Sequence, residues 1–290
     1  MPKRKTKKRT GKRKSKKAGN KLRRTFSWLC LLSFLSLAIA SAYKYKYNEG
    51  EMPPSIPPLP SGAEIPVLTV PKNEQIIIHE GYTVSYNSDY KIANWVAYEL
   101  TAQEASSTKT GRSDKFTYDP SIDKMASASN EDYSRSGYDK GHLAPAGDMK
   151  WSAKAMRESF YLTNICPQKP ALNRGEWKEL EETARIWAKE YGSLYIICGP
   201  VIDKNLKRLG KNRVGIPKQF YKVICNPHQG EAIAFLFENK GYKNTPLQKF
   251  VVTVDSIETI TGIDFFPQFP DDLEAKMESA VDLGAWGFSR

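Results

Sequence analysis

The stretch YDKGHLAPAGDMKW, residues 138 to 151, sets a histidine directly after a glycine and two opposite charges. The chain of 290 residues has three histidines, His79, His142 and His228, so one in so polar a setting calls for a reason. Gly141 permits a turn or a close approach of the backbone to a ligand. Lys140 offers a cation, and Asp139 is able to hold either the loop or the imidazole. A neutral imidazole beside a cation resists protonation, as a general base near neutral pH must. The competing reading is a loop histidine bonded to its neighbours. His79 in IIIHEGY is expected to open the first strand and His228 in NPHQG to sit at a hairpin tip, both in structural roles.

A second informative stretch, TNICPQKPALNRGEWKELE, covers residues 163 to 181. Asn173 followed by Glu176 reads as a capping box at the start of a helix, and a helix N-terminus also welcomes phosphate. Within RGEWKELEETARIWAKEYG, Trp177, Leu180, Ala184, Trp187, Ala188 and Tyr191 line one face, and Gly192 stops the helix. Glu181 falls at the rim of that apolar face, in line with Asn173 and Trp177. A carboxylate there must be paired or bound to something; a salt bridge to Arg185 is the structural alternative.

Around these stretches YTVSYN, WVAYELT, FYLTN, LYIICG, FYKVIC, AIAFLFE and FVVTV read as strands, and SIETITG and DDLEAKMES as short helices. Strands outnumber helices without regular alternation, which implies an α+β domain with a largely antiparallel sheet. Cys198 and Cys225, both in strand-like runs, are a candidate disulfide pair. No zinc spacing, GxSxG elbow, Walker loop or HExxH occurs.

The net charge of +12 is local. Residues 1–24 hold 14 of the 44 basic residues and no acid, which leaves 30 against 32 acidic residues beyond Arg24. A case for nucleic acid must therefore come from a local site. Residues 1–24 form a basic leader assigned to the cytoplasm. Residues 25–43 contain an uncharged run, Phe26 to Ala42, that serves as membrane anchor or signal segment. Flanking Trp28, Tyr43, Tyr45 and Tyr47 favour an anchor, and small residues at Ala38, Ala40 and Ala42 offer cleavage sites. Either way the rest is exported, to the cell envelope or periplasm or beyond. A Lys-rich, non-amphipathic leader fits mitochondrial import less well. Residues 44–74 hold 7 of the 18 prolines and read as a spacer, residues 75–282 as the globular domain and 283–290 as a tail.

SGYDKGHLAPAGDM, TNICPQ and LNRGEWKELE, in that order and spacing, resemble the DNA/RNA non-specific endonuclease family over about residues 80–275. The resemblance implies a ββα-metal (His-Me finger) fold with helices flanking the sheet. It implies hydrolysis of DNA and RNA to 5′-phosphate products around one hydrated Mg²⁺, or Mn²⁺ in its place. The family's general base falls on His142 and its direct metal ligand on Asn173. Its acidic residue acting through bound water falls on Glu181, its supporting asparagine on Asn164 and its phosphate-assisting arginine on Arg112. Lys140 stands where the family's Asp-Arg-Gly-His signature has arginine, keeping the charge but not the bidentate fork. That departure leaves a second reading, an envelope nucleic-acid-binding or uptake protein with weak catalysis on the same fold.

Overall fold

The computed structural model describes Leu59 and residues 61–288. The leader, the apolar run and the first part of the proline-rich stretch lie outside the described residues. Among the described residues no helix is long and apolar enough to cross a membrane.

One seven-stranded antiparallel sheet carries the domain. Its strands are β2 (Gln75–Ile78), β3 (Thr83–Asn87), β4 (Ile92–Thr101), β7 (Ser193–Pro200), β10 (Gln219–Asn226), β11 (Glu231–Glu238) and β12 (Val251–Val252), in the order β12-β11-β10-β7-β4-β3-β2. Three two-stranded ladders flank it: β1 (Val67–Leu68) with β13 (Ile263–Asp264), β5 (Asp139–His142) with β6 (Ile165–Gln168), and β8 (Lys207–Leu209) with β9 (Val214–Ile216). Helices are α1 (Ala102–Ala105), α2 (Asn130–Tyr133), α3 (Ala153–Glu158), α4 (Pro170–Arg174), α5 (Glu176–Tyr191), α6 (Val254–Thr261) and α7 (Asp271–Ser279).

Because successive strand residues point to opposite faces, β4 feeds two cores. Val96, Tyr98 and Leu100 join α5 through Trp177, Leu180, Ala184, Trp187 and Ala188. Trp95 and Ala97 join α6 and α7 through Val254, Ile257 and Met277. The apolar stripe of α5 is the one its spacing predicts, and Gly192, at φ 95°, ends the helix in a conformation that disfavours any side chain.

Two expected strands shrink. In FYLTN, Tyr161 makes a single parallel bridge with Thr117, Leu162–Asn164 is a 3₁₀ turn, and the ladder with β5 starts only at Ile165. In FVVTV, Thr253 caps α6 by accepting from the Ser256 amide, which cuts the strand to Val251–Val252. The candidate disulfide is also overturned. Cys198 lies opposite Lys222 in the β7–β10 register, and Cys225, three residues further along, faces the other core; all three described cysteines are free and buried.

The packed domain is longer at both ends than residues 75–282. Ala63 is buried, Val67–Leu68 pair with Ile263–Asp264, and Lys72 Nζ donates to Thr261 O. At the other end Trp286 is buried, edge-on to Trp187 at 4.9 Å and to Tyr191 at 5.8 Å. Trp286→Ala is therefore expected to lower unfolding stability by about 3–5 kcal/mol in urea denaturation. A loss under about 1 kcal/mol would show that the C-terminal residues do not belong to the core.

Candidate active site

Two short strands and the helices after them build the site. β5 and β6 pair antiparallel, Asp139 opposite Gln168 and His142 opposite Ile165. Gly141 is there for packing and not for a turn: a Cβ on it would lie 2.0 Å from Gln168 Oε1, whose side chain crosses the strand. After β6, Pro170 opens α4, Gly175 breaks it, and α5 begins. Trp177, fully buried on α5, donates its indole N–H to His142 O at 3.3 Å and so fixes helix to strand. Asn164 clamps the loop beyond the histidine. Its Oδ1 accepts from the Ala144 amide at 2.9 Å, and its Nδ2 donates to Ala144 O and Ser159 O, each at 2.8 Å.

Arg112, Lys140, His142, Asn173 and Glu181, five of the six residues singled out in the sequence, line one cavity of about 350 Å³ together with Arg174, Lys178 and Arg185. Asn164 is buried behind it, so its part is to hold the loop and not to face a ligand. His79 lies just past β2 with its Nε2 3.1 Å from Asp119 Oδ2, and His228 lies in the turn after β10 with its Nε2 3.3 Å from Ser193 Oγ; neither reaches the cavity.

Several partners differ from expectation. Asn173 does not cap the long helix. It lies inside α4, and Gly175 takes the cap position. Its Nδ2 donates to Asp139 Oδ2 at 3.0 Å, which leaves the carbonyl Oδ1, the end of an amide that ligates hard cations, on the other side. Asp139 holds neither the ring nor the loop; it takes Arg174 bidentately at 2.8 and 2.8 Å. Burial works against that carboxylate, yet the Arg174 and Asn173 hydrogen bonds prevail and keep its pKa below the ordinary value. Arg185 pairs with Asp148 at 2.7 Å and not with Glu181, and Tyr98 OH donates to the other Asp148 oxygen at 2.8 Å. Lys140 Nζ donates to Asn130 Oδ1 at 2.8 Å and sits 4.4 Å over the Phe116 ring. The cation that acts on His142 is Arg112, which stacks over Phe160 at 5.3 Å.

Lys222 went unread in the sequence. It is fully buried on β10, with Nζ 4.7 Å over the Trp177 ring. A lysine inside the apolar run FYKVIC was the available signal, since a buried ammonium needs a partner. Its field reaches Glu181. Burial raises that carboxyl to about 7, Asp148 adds to the rise, and Lys222 foremost, with Arg185 and Arg112, holds it back.

The DNA/RNA non-specific endonuclease family model matches residues 59–272. The chain belongs to this family. Human mitochondrial endonuclease G is 32% identical over 212 residues, covering 68% of this chain and 71% of its own. The Serratia marcescens nuclease is 34% identical over 218 residues, covering 70% and 79%. A crystal structure of an EndoG/EndoGI complex superposes with TM-score 0.65 at 30% identity, over 73% of this chain and 92% of that one. The ββα-metal nuclease fold and nuclease activity expected from the sequence therefore hold, and the strand pair β5–β6 with the helices that follow is its ββα unit.

In this non-specific endonuclease the histidine ring is packed between Phe116 and Phe160, at 5.3 and 4.8 Å, and Nε2 is buried without a hydrogen-bond partner. Burial first, and then the Arg112 charge, lower its pKa from 6.5 to about 3, so the ring is neutral at physiological pH. Below pH 6.5 the unfolded chain takes up a proton that the folded chain refuses. The ring's contribution is thus complete above pH 6.5 and drains away as pH falls toward 3. Between pH 4 and 6 the unfolding free energy is expected to fall with acidification more steeply than that of His142→Ala, by about 1.4 kcal/mol per pH unit. Parallel profiles in urea titrations would contradict the buried, neutral ring.

Proposed function

We propose that this nuclease hydrolyses phosphodiester bonds of DNA and RNA with His142 as general base and one hydrated divalent cation held by Asn173 directly and by Glu181 through water. The observation that carries this reading is the shared cavity, where a neutral imidazole, an amide carbonyl and a carboxylate meet under a rim of cations. The donor set fits such an ion. A carbonyl oxygen and a carboxylate are hard ligands, and Mg²⁺ keeps most of its waters, so few protein groups are needed. When bound, the ion, Mg²⁺ or Mn²⁺, neutralises charge that builds on the phosphate and the leaving oxygen.

The remaining steps belong to the chain. His142, neutral in the free protein, takes a proton from the attacking water once a phosphate anion at the mouth raises the basicity of the ring. Arg112, exposed at the mouth, pairs with the exposed Asp114 Oδ1 at 3.3 Å and is free to exchange that weak pairing for a phosphate oxygen. Lys140 adds charge without a fork, and Asn164 positions the histidine loop. None of these groups is arranged to read a base edge, which agrees with little sequence preference, and departure of the 3′ oxygen leaves 5′-phosphate ends. Residues 25–43 would export the domain, anchored to the membrane if uncleaved, and the positive cavity rim suits a polyanionic substrate in spite of the acid-balanced domain surface.

Digestion of supercoiled plasmid and of RNA with Mg²⁺, with and without chelator, tests the reading. Cleavage is expected to stop with chelator and to fall about 10²–10⁴-fold in His142→Ala with native circular dichroism. Undiminished turnover by that variant would refute its role as base. Tight binding without cleavage by the unaltered protein would favour the uptake or binding reading.

A further inference from the structure

Across the central sheet from the His142 cavity, five carboxylates converge where α6, β13 and α7 meet. One ligand oxygen each of Asp255, Glu258 and Glu278 lie within 4.8 Å of one another, and so do those of Asp264, Glu274 and Glu278. The α6 and α7 residues beside them, Val254, Ile257 and Met277, pack on the core that contains Trp95 and Ala97, whereas Leu143 and Trp177 belong to the other core. No lysine, arginine or histidine among the described residues pairs with any of the five. Acidic residues often cluster on surfaces, where water screens them. Glu278 is different: it is 7% exposed and belongs to both groups, its carboxyl meets that of Glu258, and its Oε1 is sealed from solvent without a hydrogen-bond partner.

We propose that Glu278, with Asp255 and Glu258 on one side and Asp264 and Glu274 on the other, forms a calcium site distinct from the catalytic cavity. Oxygens around a calcium ion, each about 2.3–2.6 Å from it, stand no more than about 5 Å apart, which matches the spacing of both groups. Calcium takes six to eight oxygens in flexible geometry, so it suits a set drawn from two helices and a strand; Mg²⁺ demands a stricter octahedron. The metal-free carboxyls carry the strain of their crowding. Burial and neighbouring acids push Glu278 up to about 9 and Glu274 up to about 7. Glu258 Oε1 accepts from the Phe265 amide at 2.9 Å, and its carboxyl also meets that of Glu278, a contact that a bound cation would replace. Bound calcium would fasten α6 and α7 to β13, and through the β1–β13 ladder to the start of the domain.

Thermal unfolding of the full-length protein, with calcium added after chelator treatment, tests the proposal. To silence the catalytic cavity the measurement is repeated in an Asn173→Ala/Glu181→Ala variant. Calcium at a hundredfold excess over Kd is expected to raise Tm by about 5–10 °C in both proteins. The rise should vanish in Glu278→Gln, which in chelator should melt no lower than the unaltered protein because a neutral amide replaces a carboxyl that burial keeps protonated at neutral pH. If Glu278→Gln fails to fold, Asp264→Asn/Glu274→Gln takes its place and should weaken the calcium shift. An unaltered protein whose Tm ignores calcium, or an equal rise in the carboxylate variants, would overturn the site. A failure here leaves the nuclease reading intact, since the silenced variant separates the two.

Discussion

The carboxylate of Asp139 joins the strand that carries His142 to the helix that carries Asn173. It receives Arg174 through two hydrogen bonds and Asn173 through a third, and the two residues are neighbours on α4. A planar guanidinium fork on a carboxylate is directional, so the contact fixes orientation as well as distance. The same contact sets which end of the Asn173 amide is free. Behind it, the Trp177 indole holds the histidine carbonyl and the Asn164 side chain holds the next turn of chain. The site is thus gripped at three points by groups that do not themselves face the cavity centre, which is how side chains on different elements are kept in register for chemistry.

Electrostatics divides the cations around the cavity by task. Arg174, Lys178 and Arg185 have carboxylate partners in Asp139, Glu182 and Asp148. Arg112 has an exposed pairing with Asp114 and lies over the Phe160 ring, and Lys140 is lodged on Asn130 and a phenyl ring, so among the described residues neither cation is held by a buried carboxylate. Beneath them the buried Lys222 ammonium, seated over the Trp177 ring, acts on the Glu181 carboxyl. Charges in a low-dielectric floor interact more strongly than they would in water, so the ammonium restrains the rise that burial gives the carboxyl. Among the described residues that line the cavity, an anion meets five cations and a neutral imidazole, with Glu181 the one acid of the lining.

Much of this was legible in the chain. The amphipathic stripe of α5 has one period and one solution, and Gly192 supplies its stop. Alternating and continuous apolar runs located the central strands, because only a sheet with both faces covered buries runs such as LYIICG. The motifs around His142, Asn173 and Glu181 marked residues that the fold brings to the wall of one cavity. Partner choice was less legible. The KPALNRGE segment reads as a cap at Asn173 if the proline is ignored, yet Pro170 at the first helical position starts a helix one turn earlier and Gly175 then supplies the break. Arg185 looked toward Glu181, four residues away, but its partner Asp148 lies 37 residues distant along the chain and is presented by the fold alone. The failed pairing of Cys198 with Cys225 came from strand register, which hydrophobic pattern does not encode for two buried faces. At the chain ends, proline content suggested a spacer where Val67–Leu68 in fact find a partner strand.

In the proposed reaction one cavity unites the imidazole of His142 with a cation held by Asn173. Anomalous diffraction from crystals soaked in Mn²⁺ with a non-hydrolysable oligonucleotide would locate that cation. One Mn²⁺ is expected in the cavity with Asn173 Oδ1 as a direct ligand, Glu181 reached through water, and the scissile phosphate between the ion and the ring of His142. An ion bound elsewhere against the phosphate, with Asn173 and His142 remote from it, would rule this reaction out.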